Sequence, residues 1–190
     1  MRYQTIVPAV LAMLVAALPA LAQKPKGAPE MFTANLQVTG AKTGAAAATI
    51  QIEVQQYTPE AERTAVETAL KAGGYPAFLT ALRKAPEAGT VSAGAQKWTI
   101  RYARERKTDK GRAIVVVTDK PIYFVGGGSV DAKPRAGYEV AVVQIEVDDV
   151  GLGTGSMAAA ARVKPDGEGG VRIDDYAEQP IKLVSVVRKF

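Results

Sequence analysis

Three consecutive segments decide the fold: Trp98-Thr99-Ile100-Arg101-Tyr102-Ala103, the turn Thr108-Asp109-Lys110-Gly111, and Ala113-Ile114-Val115-Val116-Val117. The first alternates. Trp98, Ile100 and Tyr102 fall on one face and Thr99, Arg101 and Ala103 on the other, which is the period of a strand with one wet side. The last is apolar at every position, so both of its faces need cover. A sheet with a second layer over part of it satisfies both segments.

The residues before this run supply that layer. Phe32, Ala34, Leu36 and Val38 alternate with Thr33, Asn35, Gln37 and Thr39, and Ile50, Ile52 and Val54 alternate with Gln51, Glu53 and Gln55. Residues 40–47 join these two strands as a hairpin loop. The period then lengthens. Thr58 suits an N-cap, Pro59 the first helical position, and Glu60 and Glu62 the positive end of a helix dipole. Ala61, Ala65, Val66, Ala69 and Leu70 follow as an apolar stripe. Gly73-Gly74 reads as a helix stop. Pro76 begins a second helix through Phe78, Leu79 and Leu82, and Pro86 and Gly89 close it.

After Val117 the pattern is strands again. Pro121 interrupts a run through Ile122, Tyr123, Phe124 and Val125, and residues 126–137 form a long loop. Ala141, Val143, Ile145 and Val147 face a core. Residues 151–155 turn the chain, Met157 to Val163 returns, and residues 166–170 turn it again. Val171, Ile173 and Tyr176 lead to a last strand from Ile181 to Val187. Two strands, two helices and about six further strands predict an α+β fold. Its form is a curved antiparallel sheet or open barrel of about eight strands, with a helical hairpin packed on it.

The N-terminus sets the compartment. Arg2, the apolar stretch Ile6 to Ala17, and Ala20-Leu21-Ala22 have the layout of a cleaved secretory signal over residues 1–22. The stretch falls short of the roughly 20 apolar residues of a membrane span, which disfavours an uncleaved anchor. Residues 23–30, rich in proline and lysine, read as a flexible tether, and residues 31–190 as one domain. The expected location is therefore periplasmic or secreted. The chain holds no cysteine, so the domain relies on packing rather than disulfides. A formal charge of +5, with acids interleaved among the bases, permits attraction to anionic envelope components and does not call for nucleic acid.

The strongest statement about chemistry is an exclusion. With neither histidine nor cysteine, the chain has no Ser-His-Asp or Cys-His mechanism and no ordinary zinc or copper site. Carboxylates remain. Gln144, Glu146 and Asp148 share a strand face, an arrangement open to acid–base work or calcium, although a strand's wet face explains them equally. Neighbours on a strand point to opposite faces, so the pairs Asp148-Asp149 and Asp174-Asp175 cannot converge without a bulge. Residues 151–155 (Gly-Leu-Gly-Thr-Gly) lack the glycine placement and following helix of a dinucleotide fingerprint. Asp166-Gly167-Glu168-Gly169-Gly170 is calcium-like in composition, yet a hairpin turn accounts for it. The terminal Phe190 suits an outer-membrane barrel, but Lys182 and Arg188 would then meet lipid. No cofactor or metal is implied.

Three features remain for binding. Trp98, Tyr102, Tyr123 and Tyr138 are large amphipathic aromatics of the kind that line a cavity and stack on sugar or lipid. Lys133 and Arg135 stand in the long loop, behind three glycines, where they would meet an anionic ligand. Arg101, Arg104, Arg106, Lys107, Lys110 and Arg112 make a basic hairpin suited to peripheral contact with a membrane.

The segments Arg101-Tyr102-Ala103-Arg104-Glu105 and Val117-Thr118-Asp119-Lys120-Pro121-Ile122 resemble those of a group of small exported bacterial proteins of unknown function. The resemblance implies export and transfers no activity. Together these readings predict a non-enzymatic exported binding module for an apolar or anionic small ligand, a lipid, sugar or anionic envelope component. The alternatives are a structural or interaction protein of the cell envelope, and a carboxylate-dependent hydrolase built on Glu146 and Asp148.

Overall fold

The computed structural model describes residues 27–37, 48–123, 133–177 and 179–189. The expected signal, the 40–47 loop, Val38, Phe124, Val125, residues 126–132 and Phe190 lie outside them. The described chain forms strands β1 (Glu30–Gln37), β2 (Thr49–Val54), β3 (Gly89–Ala93), β4 (Gln96–Thr108), β5 (Gly111–Thr118), β6 (Val140–Val147), β7 (Leu152–Pro165), β8 (Val171–Tyr176) and β9 (Ile181–Lys189). Helix α1 (Glu60–Lys84) falls between β2 and β3.

All pairings are antiparallel, in the order β1-β2-β3-β4-β5-β6-β7-β9, and β9 returns to β1. The barrel is therefore closed, with eight strands, where a curved sheet or an open barrel was expected. Closure removes the unpaired edges that an open sheet would expose. β8 is an additional strand. It pairs with the second half of β7, from Ala161 to Pro165, while β9 takes the first half.

Two apolar clusters divide the inside from the outside. Phe32, Ile50, Ile52, Val54, Val91, Ile100, Ile114, Val116, Val143, Ile145, Met157 and Leu183 fill the interior. Outside, Val66, Leu70, Phe78 and Leu82 of α1 pack on Tyr102, Val117, Val140, Val142, Ala158, Ala161 and Val163. β5 is thus covered on both faces at its C-terminal end, as its unbroken apolar run requires.

The expected helical hairpin is one helical element. The chain is helical on both sides of the pair, and only Gly74 leaves helical geometry, at φ 66° and ψ −162°. Glycine tolerates that conformation, so the pair marks a kink rather than a stop. Both ends of α1 are tied to the same stretch of β4. Thr58 N–H bonds Ala103 O at 2.8 Å, and Arg101 Nη1 donates to Ala85 O at 3.1 Å. Thr58 does not cap the helix either. Pro59 holds the N-cap position, and Thr58 Oγ1 accepts the Ala103 N–H at 2.9 Å.

A second difference lies in β4. Its pairing with β5 slips between Ile100 and Tyr102, a β-bulge. The bulge turns the strand over, so Trp98, Ile100 and Ala103 point inward and Tyr102 points outward under α1. The expected common face of Trp98, Ile100 and Tyr102 does not exist. β3 was not expected. Gly89 serves not to close a helix but to let β2 and β3 approach, since a Cβ there would sit 1.9 Å from Glu53 O. Asp109 and Lys110 form the turn between β4 and β5, as read.

Candidate functional site

The sequence-predicted binding residues do not meet in one cavity. Trp98 packs in the barrel interior at 7% exposure, and Tyr102 lies outside it at 1%. Tyr123 is half-buried after β5, and Lys133 is exposed. Arg135 and Tyr138 do come together. The Arg135 guanidinium lies 4.8 Å from the Tyr138 ring centre, and that of Arg162 lies 5.6 Å from it. The Tyr138 hydroxyl donates to Asp175 Oδ2 at 2.5 Å, which raises the tyrosine pKa and lowers that of Asp175. Tyr75, beside the α1 kink, accepts the Glu139 N–H at 2.8 Å and fixes the same segment. Every group in this cluster has a partner, so it anchors the chain where β6 begins.

The basic hairpin is largely neutralised. Arg101 pairs with Asp119, Arg104 with Asp166, Arg106 with Glu168, and Arg112 with Glu30 and Glu105. Lys107 and Lys110 have no ion pair among the described residues. The Arg112 group closes one end of the barrel. Glu30 is buried there and accepts from Tyr57, from both Nη atoms of Arg112, and from Arg188 Nη2 at 2.8 Å. Two arginines and two carboxylates meet in this network.

Of the carboxylates considered for catalysis, Glu146 and Asp148 line one hollow with Lys110, and Asp174 and Asp175 both pair with Arg162. Asp148 Oδ1 accepts the N–H groups of Val150 and Leu152 in the β6–β7 turn, and Glu146 is exposed. The glycines of residues 151–155 serve strand packing. A Cβ at Gly153 would stand 1.8 Å from Glu146 O, and one at Gly155 would stand 2.2 Å from Gln144 O.

A groove forms elsewhere. Residues 166–170 make the β7–β8 turn, with Asp166 Oδ1 accepting from Glu168 N and Gly170 N. The turn crosses the outside of the barrel as a strap and is clasped to β4. Arg104 Nη1 meets Asp166 Oδ2 at 2.6 Å, Arg104 Nη2 meets Glu168 O at 2.7 Å, and Arg106 Nη1 meets Glu168 Oε2 at 2.9 Å. Beside the clasp is a groove of about 210 Å³, with Ala113, Val115 and Val171 as its apolar lining and Gln144 and Arg172 as polar walls. It continues along β5, β6 and β7 toward Thr154 and Ser156. Burial alone would raise the Asp166 pKa. The N–H groups of Glu168 and Gly170 and the Arg104 guanidinium outweigh burial and hold it below the usual carboxylate range.

Sequence reasoning missed this site because Arg104 and Asp166 stand 62 positions apart. A signal was present. Arg104 and Arg106 share a strand face at a spacing of two, and Asp166 and Glu168 repeat that spacing with opposite charge. Comparison of the chain with protein-family models, curated proteins and solved structures finds no match.

Proposed function

We propose that the protein is an exported, non-enzymatic binding module that holds its ligand on the outside of the barrel, in the groove between the β7–β8 strap and strands β4 to β6. The ligand class is a small amphiphile with an apolar body and an anionic head. One observation carries this reading: an apolar floor lies under a rim of three arginines and two carboxylates, and Arg172 has no ion pair among the described residues. The excess of one cation favours a single negative charge, and Val115 and Ala113 favour hydrocarbon. The barrel interior is occupied by the side chains of its own strands, which argues for an external ligand.

Export rests on residues 1–22, and it places the ligand among lipids or other components of the envelope. The test is native mass spectrometry of the protein purified from its own host's envelope, followed by organic extraction. A stoichiometric anionic amphiphile, absent from a Gln144→Trp variant that fills the groove, supports the reading. A bare mass for the unaltered protein sinks it.

A second reading, an envelope interaction protein, is favoured by a different end of the molecule. Val150 is 67% and Leu152 52% exposed in and beside the β6–β7 turn, and Leu152 lines a hollow shared with Lys110. Sedimentation with anionic phospholipid vesicles that is lost in Val150→Asp would support peripheral membrane contact. No sedimentation would remove it.

A further inference from the structure

We infer that Arg104, Arg106 and Tyr102 form the head-group subsite of the groove, and that Asp166 and Glu168 of the strap occupy it until an anionic ligand displaces them. This rests on the binding reading above and names the residues and the competition within it.

The geometry of the clasp is that of carboxylate recognition. Two guanidinium groups on one strand face receive two carboxylates and a backbone carbonyl, at 2.6 to 2.9 Å. Arginines so placed suit a planar anion. The side supplying the anions is a short turn containing three glycines, of which Gly167 and Gly169 adopt φ of 87° and 79°. One of the two ion pairs, Arg106 with Glu168, is more than half exposed on both sides. Exposed pairs of this kind contribute little to stability, so a ligand competing for Arg106 meets weak opposition.

Tyr102 supplies an independent sign. It is buried at 1% exposure, and its hydroxyl has no partner in hydrogen-bond geometry among the described residues. Burial raises its pKa, and the nearby guanidinium groups of Arg104 and Arg63 and the Val171 backbone only partly oppose this. A buried hydroxyl without a partner is costly and rare. The position explains it. A Cβ placed on Gly170 would lie 2.2 Å from Arg104 Nη1, 2.7 Å from Asp166 Oδ2 and 2.9 Å from the Tyr102 hydroxyl. These groups therefore crowd together around Gly170, and a ligand oxygen that takes the place of the displaced Asp166 carboxylate meets the Arg104 guanidinium with the Tyr102 hydroxyl close by. A side chain at 170 would collide with all three, which is why glycine stands there.

The experiment is calorimetric titration with laurate, a carboxylate on a hydrocarbon chain, below its micelle concentration. The subject is the purified protein, with circular dichroism and a thermal midpoint for each variant. Asp166→Asn keeps the acceptor that holds the turn, so Asp166→Asn/Glu168→Gln removes the competing charge without dismantling the strap. If the strap occupies the subsite nine-tenths of the time, this variant binds on the order of tenfold tighter than the unaltered protein. Adding Arg104→Gln abolishes the gain. Tyr102→Phe weakens laurate roughly fivefold and at the same time raises the thermal midpoint, a combination that a purely structural tyrosine would not give. Laurate binding that is unchanged or weaker in the double variant overturns the subsite and leaves the groove reading standing. Absence of laurate binding to both proteins overturns the two together.

Discussion

Glu30 carries four hydrogen bonds on one buried carboxylate, and its neighbours set the cost of altering it. Tyr57 and Arg112 share Oε2, and Arg112 and Arg188 share Oε1. Arg112 also stacks 5.9 Å from the Phe32 ring centre, which joins the charge network to the core. Glu30→Gln leaves two arginines facing a neutral amide that cannot accept from all four donors. Removing one member of a buried pair typically costs about 3–5 kcal/mol, because the remaining charge loses its compensation. We expect a urea midpoint well below that of the unaltered protein, with an unchanged transition slope. A midpoint that does not move would show that water replaces the carboxylate. None of this was legible in the sequence. Glu30 reads there as the last residue of a tether, and its partners Tyr57, Arg112 and Arg188 are scattered over the chain.

At the scale of the elements, close approach of backbones matters as much as apolar pattern. β6 and β7 meet where Gly153 and Gly155 lack a Cβ, and alanine at 153 would collide with the Glu146 carbonyl rather than with a side chain able to move. Gly153→Ala should therefore cost roughly 3 kcal/mol, above the usual single-substitution effect. Hydrogen exchange should quicken along Glu146 and Val147 before it does so elsewhere. Equal protection in both proteins would mean the seam adapts. The strand periods of β1, β2, β5, β6 and the turns at 109–110 and 166–170 could be read from alternation and turn chemistry. The bulge at Arg101 could not, because an extra residue leaves no compositional mark and inverts every side chain beyond it. That one slip separated Trp98 from Tyr102 and dispersed the expected aromatic cavity. β3 was hidden for a related reason: Gly89 looks like a helix terminator when its real constraint is the Glu53 carbonyl on the next strand.

Three tyrosines join the layers of the molecule: Tyr57, buried at the barrel end, Tyr75, half-buried at the helix kink, and Tyr102, buried beneath the strap. Burial raises the pKa of each, and the Glu30 carboxylate raises Tyr57 further. A pKa raised in the folded state means that the native protein keeps a proton the unfolded chain gives up. The associated stability is fully present below the unfolded tyrosine value of about 10 and is lost as pH rises above it. Denaturant midpoints should therefore hold steady approaching pH 10 and fall beyond it. Tyrosinate absorbance from these residues should appear only as the circular dichroism of the sheet disappears. Tyr57→Phe should flatten the alkaline decline, since its retained proton no longer counts. The order of release tests how the layers cooperate. If barrel, helix and strap unfold as one unit, the delayed absorbance rises in a single step with the loss of sheet. An earlier step that survives in Tyr57→Phe but shrinks in Tyr102→Phe would show the helix and strap layer parting from an intact barrel. That layer covers the arginines of the groove, so the same measurement would report how easily the strap opens.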